Sequence, residues 1–146
     1  MFSISFNNID VRKRKESRGT IEIGDFRETF LSPLIHWNRT HYRNHWNDAI
    51  ERILTTSDRS ALVTAMHIPK YANFIVWWPM YADGDNIHFH NSILPIAELG
   101  NTFNEERMFD FIDPRKRVTP SGEGISEWTA TKSELETFLA SLDEQA

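Results

Sequence analysis

The fold is decided by residues 73–94, whose sequence is NFIVWWPMYADGDNIHFHNSIL. The first half is dense in aromatic and β-branched residues, which suit a pleated and partly buried surface. At its centre, Asp83-Gly84-Asp85 has the chemistry of a tight turn, because glycine accepts a positive φ and aspartate side chains bond nearby backbone groups. Apolar and polar residues alternate after the turn. The stretch therefore predicts a β-hairpin, and with it an antiparallel sheet at the centre of the fold.

Adjacent residues on a strand point to opposite faces, so the hairpin presents two different surfaces. Trp77 and Trp78 lie on opposite faces, and burial of both rings is favoured, with a binding face as the alternative for one of them. His88 and His90 share one face of the return strand.

The composition is that of an ordinary globular protein, with 146 residues, 40% of them hydrophobic and 25% charged. This length fits one domain, residues 1–146, with a sizeable core. The chain has no cysteine, which excludes disulfides and thiolate metal sites and suits a reducing compartment. No apolar run approaches the roughly 18 residues of a membrane helix, and the first basic cluster follows the apolar residues, the reverse of a signal peptide. We expect a cytoplasmic protein with no membrane partner.

Charge is unevenly distributed along the chain, whose net charge is −5 at pH 7. Five basic residues lie between Arg12 and Arg18, whereas the residues after Gly19 contain 19 acidic and 11 basic side chains. That larger part carries about −8, a charge that repels nucleic acid and attracts basic proteins. The basic run is an alternative contact for nucleic acid, but a solvated loop is the favoured interpretation.

Two strands and a helix are predicted before the hairpin. Alternation over residues 2–6 predicts a first strand, and residues 20–30 predict a second, with Gly24 as a bulge or bend. Residues 8–19 would connect these strands as a hairpin. Thr40 is the expected N-cap of a helix that extends to about Leu54. Its apolar positions have helical spacing and should pack on the sheet: Tyr42, Trp46, Ala49, Ile50 and Ile53.

Further elements surround the hairpin. Residues 61–68 predict a strand that ends at a proline, and residues 105–112 predict a short helix. A charged loop with proline and glycine follows over residues 113–124, before a short strand within residues 125–130. Thr131 and Glu134 have the spacing of a capping box, which predicts the start of a last helix. Its apolar stripe would be Leu135, Phe138, Leu139 and Leu142.

Candidate catalytic and metal-binding groups are few. His41 and His45 have the i, i+4 spacing of zinc ligands, but the glutamate of zinc proteases is missing between them and neighbouring arginines repel a cation. We interpret these two and His36 as surface or capping groups. His88 and His90 lack further ligands that the sequence can supply. Phosphate loops, dinucleotide fingerprints and serine-nucleophile motifs do not occur, so we predict no catalytic residue, no metal and no cofactor.

An acidic chain with a good core and no reaction centre is best interpreted as a binding protein. Its segments resemble the immunity proteins of contact-dependent growth inhibition systems (CdiI). The segments are HYRNHWNDAIERIL from residue 41, SALVTAM from 60, YANFIVWWPMYADGDNIHFHNSIL from 71 and GEGISEWTAT from 122. The resemblance extends in order from about Phe30 to Leu139, with WWPMY and ISEW as its most distinctive parts. It brings no catalytic motif with it.

The resemblance implies a small cytosolic protein, made beside a large toxin-bearing surface protein, that binds and blocks the C-terminal toxin domain (CdiA-CT) of its own system. Members similar to this chain are associated with ribonuclease toxins of EndoU-like or RNase A-like type. The implied fold is α+β, with antiparallel β-sheets flanked by helices in a single Whirly-like domain. We therefore expect a monomeric immunity protein, not an enzyme, whose partner is a basic nuclease toxin and which binds no nucleic acid.

An acidic partner can occupy the basic RNA groove of a ribonuclease and associate with it quickly. The candidate toxin-binding residues are acidic positions in expected loops or exposed helix, where binding residues tend to concentrate. They are Asp83, Asp85, Glu105, Glu106, Asp110, Asp113 and Glu123. Solubility is the commoner role for any one of these charges, but as a set they predict a field that attracts a basic protein.

Two other functions stay open at this point. A Whirly-like nucleic-acid-binding module would use the aromatic residues and the basic run, and its affinity for RNA would fall steeply with salt. A small enzyme would use the histidines and would hold a ligand or metal. The acidic charge and the lack of a recognisable site favour neither.

Overall fold

The structure, a computed structural model, describes residues 1–7 and 15–144, and the following elements belong to that part of the chain. The strands are β1 (Phe2–Phe6), β2 (Glu16–Ile23), β3 (Phe26–Pro33), β4 (Arg59–Ala65), β5 (Ile75–Asp83), β6 (Asn86–Phe89), β7 (Ser92–Leu94) and β8 (Trp128–Thr131). The α-helices are α1 (Arg39–Thr55), α2 (Ile96–Leu99) and α3 (Lys132–Glu144), and 3-10 helices form at Gly100–Thr102 and Glu105–Phe111. We call Glu105–Phe111 the 3-10 segment.

The N-terminal sheet contains β1, β2 and β3 in that order, and both pairings are antiparallel. The expected hairpin of β1 with the next strand is confirmed. The prediction of one strand over residues 20–30 is wrong, because the chain turns at Gly24 and Asp25 and two strands result. Gly24 adopts φ +61°, a conformation that suits glycine and allows the turn. Most of the predicted connection at residues 8–19 lies outside the described residues, including positions 12–14 of the basic run. Its last part was predicted wrongly, because residues 16–19 belong to β2.

The second sheet contains β4, β5, β6 and β8 in that order, and β7 also pairs with β5. The predicted hairpin is confirmed, with a turn at Gly84, where φ is +59°. Its return strand is interrupted after Phe89 and resumes as β7. Trp77 and Trp78 are both buried, as the sequence favoured. The strand predicted over residues 61–68 begins two residues earlier and ends at Ala65.

The two sheets and α1 enclose the hydrophobic core. Phe89 stacks on Phe2 of β1, with 5.3 Å between ring centroids, and Trp78 lies 6.2 Å from Phe26 of β3. These contacts assign one face of the second sheet to the core between the sheets. The α+β fold class of antiparallel sheets flanked by helices is confirmed.

The helix α1 begins slightly before its predicted start. Asn38, and not Thr40, is the N-cap, because its Oδ1 accepts the N–H of His41 at 2.8 Å. The predicted apolar face of the helix is confirmed, since its five residues are all 2% exposed or less.

Two side chains of α1 cover the free edge of β4, which in the described part of the chain pairs on one side only, with β5. The N–H of Val63 donates to Nε2 of His45 at 2.8 Å, and Nε1 of Trp46 donates to O of Val63 at 2.7 Å. The helix therefore takes the hydrogen-bonding place of a neighbouring strand. The interpretation of His45 as a surface or capping group is wrong, because this bond requires the ring to be buried against β4.

The other face of the second sheet is covered by residues 96–127. The helix predicted over residues 105–112 forms as the 3-10 segment, with Met108 buried. Arg59 Nη1 on β4 donates to O of Ile112 at 3.4 Å, and the hydroxyl of Tyr81 on β5 donates to O of Asp113 at 2.8 Å. The sequence did not predict α2, because four residues are too few to show a helical period.

The predicted capping box is confirmed at the start of α3. Oγ1 of Thr131 accepts the N–H of Glu134 at 3.1 Å, and Oε1 of Glu134 accepts the N–H of Thr131 at 3.3 Å. Among the residues that the structure describes, no helix is both long and apolar enough to span a membrane.

Candidate protein-binding surface

The seven acidic positions singled out in the sequence belong to two regions. Asp83 ends β5 and Asp85 lies in the turn after it. The other five lie in the chain that covers the outer face of the second sheet: Glu105, Glu106 and Asp110 on the 3-10 segment, then Asp113 and Glu123 in the loop. Within the described ranges, no ion pair or side-chain hydrogen bond links the acidic residues of the first region to those of the second.

Glu105 is a structural anchor more than a free charge. Its Oε1 accepts from Nε1 of Trp37 at 2.8 Å and lies 2.9 Å from Nε2 of His36. Trp37 is 2% exposed and lies just before α1, so Glu105 ties the 3-10 segment to the start of the helix. His36 is accordingly part of an ion pair when protonated, in agreement with its interpretation as a surface group.

The other carboxylates of this set are more available. Glu106 and Asp110 are exposed, and Asp110 lies 3.3 Å from Nε of Arg107 in a pair whose side chains are both largely solvent-accessible. Such an exposed pair contributes little to stability. Glu123 is exposed in a tight turn, where its main chain bonds to Thr119. Asp113 uses its main-chain carbonyl to hold Tyr81, which leaves its exposed side chain at the surface.

Asp83 belongs to a network of two histidines, two carboxylates and an arginine that the sequence did not reveal. Nε2 of His88 donates to Oδ2 of Asp83 at 3.0 Å, and Nε2 of His90 donates to Oε2 of Glu127 at 2.8 Å. Arg115 binds the same Glu127 carboxylate in a bidentate manner, at 2.9 Å and 2.6 Å. The network fastens the loop before β8 onto the outer face of β6.

Charge pairing in this network changes the acidity of its carboxylates. The hydrogen bonds from Arg115 and, second, from His90 lower the pKa of Glu127 to about 2. The hydrogen bond from His88 lowers the pKa of Asp83. Both groups are therefore ionised at neutral pH and already have cationic or donor partners. Asp83 is for this reason a weaker candidate for a partner's basic residue than Glu106 or Glu123.

A cleft opens between α1 and the 3-10 segment, with a volume of about 330 Å³, and we call it the α1 cleft. Trp37, Met108 and Phe109 form its apolar part, while Asp48, Glu105 and Glu106 supply carboxylates. His41 stacks on Trp37 at 4.3 Å between centroids, and the buried His45 ring also borders the cleft. Of these residues only Glu105 and Glu106 were among the predicted toxin-binding positions. The sequence feature that could have indicated Asp48 is its place on the polar side of α1, one residue before Ala49, which packs inward.

That the histidines have structural or surface roles and hold no metal stays a prediction. The described part of the chain brings together no group of three or more His, Cys, Asp or Glu side chains suited to hold a metal ion. His88 and His90 instead have carboxylate partners. We expect the purified protein to contain no stoichiometric zinc, and its thermal midpoint to be unchanged by a chelator. One zinc per chain together with a chelator-sensitive midpoint would contradict this expectation.

Comparison with known proteins adds to this geometry. A family model described as the CdiI N-terminal domain matches residues 32–138. The chain is also similar to a chain of a solved CdiA-CT/CdiI toxin and immunity complex from Enterobacter cloacae, with 27% sequence identity and a TM-score of 0.87 over 99% of each chain. None of the curated proteins compared with it matches. Because the family model spans more than half of the 146 residues, the chain belongs to the CdiI N-terminal domain family.

Proposed function

We propose that this protein is a cytoplasmic immunity protein that binds the CdiA-CT toxin domain of its own system and neutralises it, and that the toxin is a basic ribonuclease. The observation that carries the proposal is the similarity, over 99% of both chains, to a chain of a CdiA-CT/CdiI toxin and immunity complex. Membership of the CdiI N-terminal domain family supports the same role. Proteins with this role act by binding and not by catalysis.

The charge of the chain supports a basic partner. A ribonuclease must be basic around its RNA groove, and the residues of this chain after Gly19 carry about −8. Exposed carboxylates at Glu106, Asp110 and Glu123 place part of that charge on the segment that covers the outer face of the second sheet. Opposite charges on two proteins steer their encounter and raise the association rate.

The proposal is tested with the C-terminal domain of the CdiA protein encoded beside this chain. We expect the two purified proteins to form a complex in size-exclusion chromatography, and this chain to abolish RNA cleavage by the toxin domain in a stoichiometric titration. Expression of the chain should also protect cells that produce the toxin domain. The proposed function would be overturned if the toxin domain forms no complex with this chain, is not inhibited by it and still harms cells that express it. Inhibition of an activity other than RNA cleavage would retain the immunity role and exclude the ribonuclease.

Charge reversal provides a sharper test of the acidic surface. In the variant Asp110→Lys/Glu123→Lys, association with the toxin domain should slow by roughly tenfold at low salt, and its salt dependence should flatten. Both side chains are exposed, so the fold should be unaffected. Glu105 is retained because it anchors Trp37. Stopped-flow association rates over a salt series measure the effect.

The matched control is Asp25→Lys/Glu136→Lys, which changes net charge equally on the β2–β3 turn and on α3. We expect a smaller change in rate for this control, because these charges lie on other elements. Equal rates for the two variants would mean that only the net charge matters. A wild-type rate for the first variant would mean that the toxin contacts another face of the protein, since Trp77 and Trp78 on the second sheet are buried.

A further inference from the structure

We propose that the α1 cleft receives a basic loop of the toxin, which places a lysine or arginine side chain between Asp48 and Glu106 and a carbonyl oxygen on Nδ1 of His45. The inference rests on the proposed function and deepens it, because it names the surface and the chemistry of the specific contact. Neither Asp48 nor His45 is among the seven residues that the sequence predicted as toxin-binding.

Two carboxylates of the cleft can still accept hydrogen bonds or pair with a cation. Asp48 and Glu106 border the α1 cleft, and within residues 1–7 and 15–144 neither side chain forms an ion pair or a side-chain hydrogen bond. Arg52, which follows Asp48 by one helical turn, lies over the Phe109 ring at 4.8 Å instead of pairing with Asp48. A cation brought by another protein would therefore meet two carboxylates without displacing an internal partner.

The buried histidine supplies a second and independent observation. His45 is 8% exposed, and its Nε2 accepts the N–H of Val63, so the neutral ring carries its proton on Nδ1. In the described part of the chain this Nδ1–H has no acceptor, and the ring borders the cleft. Nδ1 of His45 is not one of the fully buried, unpaired atoms of the described residues, so it is open to the cleft, where an incoming carbonyl oxygen can accept its hydrogen in place of water.

The apolar part of the cleft favours an inserted loop over a single surface charge. Trp37, Met108 and Phe109 line the same cleft as the carboxylates and the histidine, and its volume is about 330 Å³. Glu105 acts here as a positioning residue, because its bond to Nε1 of Trp37 holds the 3-10 segment beside α1. Water exclusion by the loop would strengthen the charge pairs at the rim.

The test uses the neutral double variant Asp48→Asn/Glu106→Gln and the CdiA-CT domain encoded beside this chain. We expect the dissociation constant to rise by at least tenfold, chiefly through faster dissociation, because contacts of a specific charge pair act after the encounter. The control Asp25→Asn/Glu136→Gln removes the same charge elsewhere and should change affinity by less than about twofold. An unchanged thermal midpoint and an unchanged Trp37 indole N–H resonance would show that the fold is intact.

A double-mutant cycle identifies the other half of the contact. Each lysine and arginine of the toxin domain is replaced by alanine and combined with the double variant. At least one should show a non-additive loss of affinity. Wild-type affinity of the double variant, or additivity for every basic residue, would overturn the inference while leaving the immunity role intact. If the wild-type chain itself fails to bind, both fail. Light scattering tests the alternative that a second copy of this chain occupies the cleft. That result would also overturn the inference.

Discussion

Replacing Trp46 with alanine is expected to lower the free energy of unfolding by about 3–5 kcal/mol, as for other large buried aromatic residues. The indole is 2% exposed and packs against Phe6 and Phe30, with ring centroids 4.9 Å and 5.7 Å away. Its Nε1 also satisfies the carbonyl of Val63 at the edge of β4. Alanine would leave a cavity and an unpaired carbonyl together. Urea denaturation followed by circular dichroism measures the loss.

The variant Trp46→Phe separates these two effects. Phenylalanine keeps much of the ring packing but cannot donate to Val63, so we expect a loss of about 1–3 kcal/mol. A loss below about 1 kcal/mol for Trp46→Ala would mean that α1 does not pack on β4 through this face. Equal losses for the two variants would assign the whole effect to the hydrogen bond.

Acidification is expected to destabilise the protein through His45 before the carboxylates titrate. Burial, and second the nearby His41, lower the pKa of His45 from 6.5 to about 3. The unfolded chain therefore binds a proton near pH 6.5, while the folded chain stays neutral at this site until about pH 3. The contribution of neutral His45 to the free energy of unfolding is fully present above pH 6.5. It is lost as the pH falls from 6.5 towards about 3. We expect about 2 kcal/mol to be lost between pH 7 and 5, and about 4 kcal/mol by pH 3.

The variant His45→Gln is the control for this pH dependence. Its amide oxygen can accept the N–H of Val63, but the side chain does not titrate. We expect the unfolding free energy of the variant to fall by about 2 kcal/mol less than that of the wild type between pH 7 and 5. Glu127 does not interfere, because its contribution is lost only as the pH falls from about 4.5 towards 2. Parallel curves for the two proteins would mean that His45 titrates normally in the folded state.

Local patterns predicted several elements correctly. The hairpin of residues 73–94, the strand at residues 2–6, the buried face of α1 and the capping box at Thr131 are all present. Each depends on residues close in sequence: alternation along a strand, helical spacing, a glycine at a turn or a side chain that caps its own helix. The α+β class follows from the order of these elements.

Predictions failed where a local pattern allowed two structures. Gly24 within an apolar-polar alternation fits a bulge as well as a turn, and only the pairing of β2 with β3 selects the turn. Asn38 and Thr40 are both good N-caps, and the tertiary position of the chain before α1 selects Asn38. His45 looked like a surface residue because its helix position borders the polar face.

The sequence alone determined the antiparallel hairpin, the acidic character of the chain and its resemblance to CdiI proteins, because composition and short-range pattern carry that information. The tertiary structure alone decided which charges have internal partners. Glu127 meets Arg115 and His90 because β8 pairs with β6, and Glu105 meets Trp37 because the 3-10 segment lies beside α1. Asp48 and Glu106 border one cleft for the same reason. These contacts join residues 12 to 68 positions apart, and no local pattern records which distant side chain will satisfy a given charge.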